Sequence, residues 1–174
     1  PVVVNNKTVH VLASHPTPPV FDGDEDRNGK RNHDEVRLIA DYVANKAYIY
    51  DDNGQKGGLK ANSRFVILGD LNAAPEGDKA RVETTNQILN TPLINSQFIP
   101  QSAGAKEQYP QSYAKHFTAN WQARVDYVLP STYGFKIQDG GVFWPTKNSE
   151  QYRLIKDRNA SSDHRLVWLD LLIE

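Results

Sequence analysis

The alternation of apolar and polar positions divides the chain into short strands and helices. Two β-branched runs near the start, Val2–Val4 and Val9–Ala13, are separated by a polar Asn-Asn-Lys segment, which is typical of a β-hairpin. The run Phe-Val-Ile-Leu that follows Arg64 is continuously apolar, which favours a strand buried on both faces. Three further strands are predicted, at Val125–Leu129, Phe135–Ile137 and Leu166–Ile173.

Two segments have helical periodicity instead. From Asn32 to about Tyr48 apolar residues recur at i, i+3, i+4 and i+7, with Asn32 as the expected N-cap and Glu35 three residues later. A second, shorter helix is predicted at Val82–Leu89, and residues 91–124 are predicted to be irregular. Strands mixed with helices over 174 residues predict a single domain with an α/β or α+β sandwich.

Composition narrows the classes of function. The formal net charge of −1 supplies no general basic field for nucleic acid, so an anionic substrate must be held by a local site or a metal. The absence of cysteine excludes disulfides and thiolate metal sites. No stretch reaches the apolar length of a membrane helix, so we expect no membrane span.

Residues 22–35 match the calcium-loop pattern of an EF-hand, through Asp24, Asp26, Asn28, a glycine and Glu35. The segment before this loop contains three prolines and is not expected to form the entering helix that an EF-hand requires. Three interpretations remain: an acidic loop that ends at a helix N-terminus, a divalent-ion loop of another kind, or an active-site loop. In the third case Arg27, Asn28 or Arg31 would contact an anionic substrate.

Polar residues with chemical potential collect next to the predicted strands. Asp70 and Asn72 follow a buried strand, at the end where α/β sheets place their ligands. Asp126 lies between apolar strand residues, where a carboxylate is costly unless it is paired or binds a metal. Asp163 and His164 are adjacent just before the last strand and are suited to metal binding and proton transfer. Together with His15, at the end of the second strand, these groups are the components of metal-assisted phosphoester hydrolysis.

The segments LASHP, GDLNAAP, RVDYVLPS and SSDHRLV, in this order over residues 10–170, resemble the endonuclease/exonuclease/phosphatase superfamily, which has the DNase I-like fold. The resemblance implies an α/β sandwich of two packed β-sheets flanked by helices. It also implies a phosphoesterase that depends on Mg²⁺ or Mn²⁺, with Ca²⁺ as a further candidate ion. Its substrate would be a phosphate ester in nucleic acid, lipid or a small molecule.

The resemblance also implies a role for each matching residue. His15 would protonate or stabilise the leaving oxygen, and Asp70 would orient or deprotonate the attacking water. Asn72 would contact the phosphate or that water. Asp126 would hold His164, and Asp163 would lie at or near the metal.

The chain departs from the family in length, because relatives carry an additional first half with an Asn and a metal-binding Glu. We therefore expect residues 1–174 to form one domain of this type that represents the C-terminal half of the full fold, with the N-terminal half as its partner. The stretch SHPTPPVFDGDEDRNGKRNHDE is similar to a bacterial branch that is secreted, periplasmic or at the cell surface. The alternative is a non-catalytic calcium-binding or interaction fragment of a larger secreted protein.

Overall fold

A computed structural model describes all residues from 1 to 174 and contains six strands and three α-helices. The strands are β1 (Val2–Val4), β2 (Lys7–Ala13), β3 (Arg64–Asp70), β4 (Asp126–Pro130), β5 (Phe135–Val142) and β6 (Val167–Ile173). The helices are α1 (Arg27–Val43), α2 (Val82–Leu89) and α3 (Ala103–Gln108), with short 3₁₀ turns at Ala114–His116 and Glu150–Leu154. None of the helices has the length and apolar character that crossing a lipid bilayer requires.

The strands form two sheets. The first has the order β1-β2-β3-β4, in which β2 and β3 are parallel and the other neighbours are antiparallel. The parallel pair is connected across α1, as a βαβ unit requires. The second sheet is the antiparallel pair β5-β6, with a register shift between Ile137 and Asp139.

Strand β3 is buried on both faces, because helix α1 packs on one face of the first sheet and the second sheet packs on the other. Ile67 faces a cluster with Val36 and Ala40 of α1 and Leu129 of β4, and it is completely buried. Val66 belongs to a second cluster with Phe135 of β5, against which β6 also packs. The predicted buried strand and the predicted sandwich are therefore confirmed.

The hairpin of β1 and β2 and the helix at Val82–Leu89 are confirmed, but other boundaries differ from the prediction. Helix α1 spans Arg27–Val43 instead of residues 32–48, so the expectation that Asn32 is its N-cap is wrong. Asn32 is instead fully buried, and its Nδ2 donates hydrogen bonds to the carbonyls of Thr17 and Leu71. This amide ties the loop after β2 to the end of β3.

Two segments contain more regular structure than the sequence predicted: strand β5 is longer, and the segment 91–124 is not entirely irregular. Strand β5 continues to Val142 through a polar Gln-Asp-Gly-Gly segment, because the register shift in it allows pairing with β6 to resume. The segment 91–124 includes α3, whose N-cap Ser102 accepts a hydrogen bond from the Ala105 amide. Helix α3 packs through Ala105 against Phe117 and Trp144 in a separate aromatic cluster.

The acidic stretch does not form an EF-hand loop. Residues from Arg27 onward are helical, so the glycine of the pattern, Gly29, lies inside α1. Asp26, the residue before the helix, has a left-handed backbone with φ of 48°. The stretch is therefore the end of the β2–α1 connection and the first turns of α1.

Candidate active site

The fold brings four of the predicted site residues to one edge of the first sheet. His15 comes two residues after β2, and Asp70 is the last residue of β3, so the parallel pairing places both at the carboxyl ends of their strands. Asp126 is the first residue of the antiparallel strand β4 and pairs directly with Asp70 across the sheet. His164 precedes β6 and packs against the beginning of β4.

Asp126 and His164 form a carboxylate–imidazole pair. Nδ1 of His164 lies 2.9 Å from Oδ2 and 3.0 Å from Oδ1 of Asp126. A carboxylate in this position accepts the Nδ1 proton, which leaves Nε2 as the nitrogen that is free to exchange a proton. That Nε2 lies 3.8 Å from Oδ2 of Asp70.

Asp70 lies between two imidazole rings. Its Oδ2 is 3.5 Å from Nε2 of His15, and the same oxygen makes the 3.8 Å contact with Nε2 of His164. The two partners differ in accessibility, since the side chain of His15 is 70% exposed and that of Asp70 only 16%. The carboxylate is therefore fixed by the protein, while the His15 imidazole faces solvent.

Asn72 closes the turn that holds Asp70. The Asn72 amide donates to Oδ1 of Asp70 at 2.8 Å, and its backbone is left-handed with φ of 50°. Its side-chain Nδ2 donates to the carbonyl of Pro16, the residue after His15. Asn72 thus connects the two loops that carry His15 and Asp70, a position that Asn tolerates better than most residues.

Glycine is required immediately before Asp70. Gly69 has φ of 142°, and a Cβ atom there would lie 1.9 Å from the carbonyl oxygen of Ser14. The parallel pairing continues past β2 at this point, through a 2.9 Å hydrogen bond from the Ser14 amide to the carbonyl of Leu68. Gly69 allows the two chain segments to approach closely enough to bring Asp70 to His15.

Asp126 is anchored through the buried hydroxyl of Thr118. Oγ1 of Thr118 accepts hydrogen bonds from the amides of Val125 and Asp126, each at 3.0 Å. Burial raises the pKa of the Asp126 carboxyl, and hydrogen bonds from His164 and Thr118 oppose that rise. The electrostatic cost of burying this carboxylate is thus reduced by the same imidazole that it orients.

Trp121 is a site residue that the sequence pattern did not reveal. Its ring centroid lies 4.8 Å from that of His164, with an interplanar angle of 82°. The turn that carries it is fixed to the segment before β6, because the Asn120 amide donates to the carbonyl of Asp163 and Ala119 bridges His164. The sequence around Trp121 contains no signal that would have identified it, and in the structure the residue is 38% exposed.

The other predicted site residues lie outside this cluster of side chains. Asp163 adjoins His164, but its Oδ2 accepts a 2.6 Å hydrogen bond from Arg158. Arg27 pairs with Glu25, and the Asn28 side chain donates to the carbonyl of Val20, so their contacts are local to the loop before α1. Arg31 is exposed on α1. The metal role of Asp163 and the substrate roles of the three α1 residues stay predictions.

His116, in the 3₁₀ turn Ala114–His116, pairs with a carboxylate outside the cluster described above. Nδ1 of His116 is 3.4 Å from Oε1 of Glu76, and its side chain is only 14% exposed. Burial lowers the pKa of His116, which Glu76 opposes and which Arg124 and Lys115 reinforce. Burial is the largest of these causes, so the charged form of the imidazole is disfavoured.

Three side chains have donor atoms close enough together to bind one metal ion. The ligand atoms of Asp70, Asp126 and His164 all lie within 4.8 Å of one another. Magnesium is usually bound through one or two carboxylates, with waters and substrate phosphates completing its octahedron, and manganese accepts similar oxygen ligands. Asp70 fits this description best, because both oxygens of Asp126 already contact Nδ1 of His164.

The layered sheets and the carboxylate–histidine cluster at the strand ends define a DNase I-like protein. The sequence model of the Endonuclease/Exonuclease/phosphatase family matches residues 3–164, and the chain belongs to this family. Members of the family are generally hydrolases that act on phosphoester bonds.

Two solved structures are similar to the chain. An endonuclease/exonuclease/phosphatase from Beutenbergia cavernae DSM 12333 has 17% sequence identity and a TM-score of 0.53, with 94% of this chain and 36% of that one covered. A β-hairpin deletion mutant of beta toxin from Staphylococcus aureus has 18% identity and a TM-score of 0.44, with 74% and 41% covered. The chain thus spans well under half the length of either structure. No curated protein matches the chain.

Proposed function

We propose that this chain carries the acid–base residues of a divalent-metal-dependent phosphoesterase. The observation that carries the proposal is the Asp70 carboxylate between the Nε2 atoms of His15 and His164, with the second imidazole held by Asp126. Carboxylates and imidazoles within 4 Å of one another are suited to moving a proton to or from water and a leaving oxygen. Family membership supports phosphoesters as the substrate class.

The proposal assigns each residue a role. Asp70, fixed by the Asn72 amide, orients a water molecule, and the unprotonated Nε2 of His164 accepts a proton there; once protonated, the same nitrogen donates a hydrogen bond to a phosphate oxygen. Asp126 keeps the His164 ring in the tautomer with its proton on Nδ1. The exposed His15 is accessible to the leaving group and protonates its oxygen.

A bound Mg²⁺ or Mn²⁺ would neutralise the charge on the phosphate and polarise its phosphorus–oxygen bonds. Asp70 is the strongest candidate ligand in this chain, and Asp163 is the second. The protein's own residues supply the orientation of water and the proton transfers. The ion accounts for how a chain with a net charge of −1 would bind an anionic substrate.

Further parts of the site belong to a longer protein in this proposal. The chain spans 36% of the length of the similar structure from B. cavernae, and a preceding half that contributes a metal-binding carboxylate would complete the set of ligands. Substrate choice among nucleic acid, lipid and small phosphate esters depends on loops, which vary within a fold. A secreted, periplasmic or cell-surface location stays part of the proposal.

The test is hydrolysis of bis-p-nitrophenyl phosphate and p-nitrophenyl phosphate with Mg²⁺ or Mn²⁺. We expect His164→Ala to lower kcat/KM by about 100-fold or more, the usual contribution of a general acid or base. His33→Ala is the matched control, because His33 lies on the surface of α1 beside Asp34. The ratio of kcat/KM on the two substrates distinguishes diesterase from monoesterase activity.

The outcomes of this assay are distinct. Equal activity in His164→Ala and His33→Ala would refute the assignment of the site. If the 174-residue chain is inactive, Mn²⁺ binding is measured next by paramagnetic broadening of the His164 and His15 resonances. Broadening that disappears in Asp70→Asn would support a site that needs the preceding half, whereas Ca²⁺ binding that depends on Asp24 and Asp26 would favour the calcium-binding alternative.

A further inference from the structure

A polar cavity is lined in part by Asp163 and Arg165, the two neighbours of His164 in the chain. It has a volume of about 220 Å³, many times the space that one water molecule occupies. Its walls come from the end of α3, from Trp144, and from residues 152–165. None of the groups assigned to hydrolysis above is needed to form it except Asp163, which lies on its wall.

The unpaired buried polar atoms of the molecule are concentrated here. Five buried side-chain nitrogen or oxygen atoms lack a hydrogen-bond partner, and three of them belong to residues that line this cavity: Gln108 Nε2, Trp144 Nε1 and Arg165 Nε. Trp144 is 3% exposed and Arg165 is 9% exposed. Leaving a buried donor unpaired is energetically costly, so an acceptor is expected beside these groups.

All three unpaired atoms are hydrogen-bond donors. The indole N–H and the guanidinium N–H donate in every protonation state that a protein reaches at neutral pH, and the Gln108 amide adds another donor. Arg165 is also fixed in place, because Nη1 donates to the Ser162 carbonyl at 2.6 Å and the guanidinium stacks on Trp144 at 4.7 Å. The Nε–H bond is therefore held in one orientation.

The charges on the walls favour an anion. Arg158 and Asp163 form an ion pair, and Asp157 keeps its charge while it accepts the amides of the turn that follows it. The exposed Lys156 and the buried Arg165 are the other two cations on the walls, so the cations exceed the carboxylates by one. An oxyanion has acceptors only, so it would satisfy the unpaired donors without requiring acceptors from the protein.

We propose that this cavity binds a small oxyanion, of which phosphate, sulfate and carboxylate are the candidates. The ligand would hold together α3, Trp144 and the segment 155–165. Since this segment ends in Asp163, His164 and Arg165, an occupied cavity would also order the loop that positions His164. The proposal does not depend on the hydrolytic function.

The test is an NMR titration of the ¹⁵N-labelled chain with sodium phosphate, against sodium chloride of equal ionic strength. We expect the Trp144 Nε1–H and Arg165 Nε–H resonances to move together and saturate with phosphate but not with chloride. Parallel titrations with sulfate and acetate identify the preferred oxyanion. The Trp121 indole, beside His164, reports phosphate at the hydrolytic site separately, so failure of either proposal is seen independently.

Variants locate the binding. Gln108→Glu places a negative charge in the cavity and is expected to abolish the response of Trp144. Lys156→Gln is expected to weaken binding about threefold, the range of an exposed charge contact. The matched control, Lys106→Gln, makes the same charge change on α3 outside the cavity and is expected to leave the affinity unchanged.

The proposal is overturned if the Trp144 resonance ignores all three oxyanions or follows ionic strength alone, since the cavity would then hold only water. It is also overturned if Lys156→Gln and Lys106→Gln bind phosphate equally while Gln108→Glu still responds. Unchanged Trp168 resonances verify folding of each variant. If Gln108→Glu does not fold, the comparison of the two lysine variants decides.

Discussion

The anchoring of Asp126 through Thr118 can be tested with a single isosteric change. Thr118→Val keeps the shape of the side chain but removes the oxygen that accepts the amides of Val125 and Asp126, each at 3.0 Å. Thr118 is 1% exposed, so water has little access to the two amides. The variant therefore leaves two buried donors without partners.

The expected loss of stability follows from these two donors. Each buried donor without a partner costs about 1–3 kcal/mol. The added methyl group returns about 0.8 kcal/mol by apolar burial. We therefore expect the free energy of unfolding to fall by about 1–5 kcal/mol, out of the roughly 5–15 kcal/mol that a domain possesses. For a chain of this size the melting temperature falls by roughly 2–20 °C.

Urea unfolding followed by circular dichroism measures this loss. The matched control is Thr132→Val, because the Thr132 hydroxyl is exposed and donates only to the Pro92 carbonyl. We expect the control to change stability by no more than about 0.5 kcal/mol. A loss below about 1 kcal/mol in Thr118→Val, or equal losses in the two variants, would refute the reasoning, because the amides would then have another acceptor.

Three further predictions concern the surroundings of the site. Gly69→Ala should lower the melting temperature far more than Gly54→Ala. A Cβ atom at residue 69 would lie 1.9 Å from the Ser14 carbonyl oxygen, whereas a Cβ atom at residue 54 would have open space around it. Comparable melting temperatures in the two variants would contradict the close approach of β2 and β3. The pKa of His116 is lower in the folded chain than in the unfolded chain, so on acidification the unfolded chain binds a proton first, at a pH below about 6.5. The contribution of His116 to the free energy of unfolding is therefore present above that pH and is lost as the pH falls. Urea unfolding at pH 7, 6 and 5 should show a shallower pH dependence in His116→Gln, and parallel curves would argue against burial as the cause. Trp121→Phe should retain more activity than Trp121→Ala, because a phenyl ring can keep an aromatic contact with His164; equal activities in the two variants would contradict a role for the ring contact.

Residues whose role depends on the local chain were predictable from the sequence. The β1–β2 hairpin is an example, because Asn5 and Asn6 both take the left-handed backbone that this turn type needs and that Asn tolerates. The apolar run of β3 identified its burial on both faces, and the polar residues that follow it marked the edge where Asp70 lies.

Features that depend on contacts far along the chain were missed. The start of α1 was placed at Asn32 because that residue type favours N-caps, yet its amide is occupied by carbonyls of Thr17 and Leu71. Trp121 reaches His164 only because the turn around Ala119 pairs with the segment before β6. A one-dimensional pattern contains no signal for such pairings, and neither composition nor periodicity distinguishes Trp121 from an ordinary surface residue.

The position of β3 in the middle of the first sheet has a consequence for how the chain folds. Val9 of β2 pairs with Arg64, and Asp70 pairs with Asp126, so both neighbours of β3 are recruited from distant parts of the chain. Closing such long loops costs entropy before the pairing returns any energy, and proteins with many non-local contacts fold in milliseconds to seconds. Three of the four groups of the site, His15, Asp70 and Asp126, lie at the ends of these non-local pairings, and His164 joins them from the segment before β6. The active constellation should therefore assemble in the last cooperative step of folding, with no earlier partially structured species that already holds it.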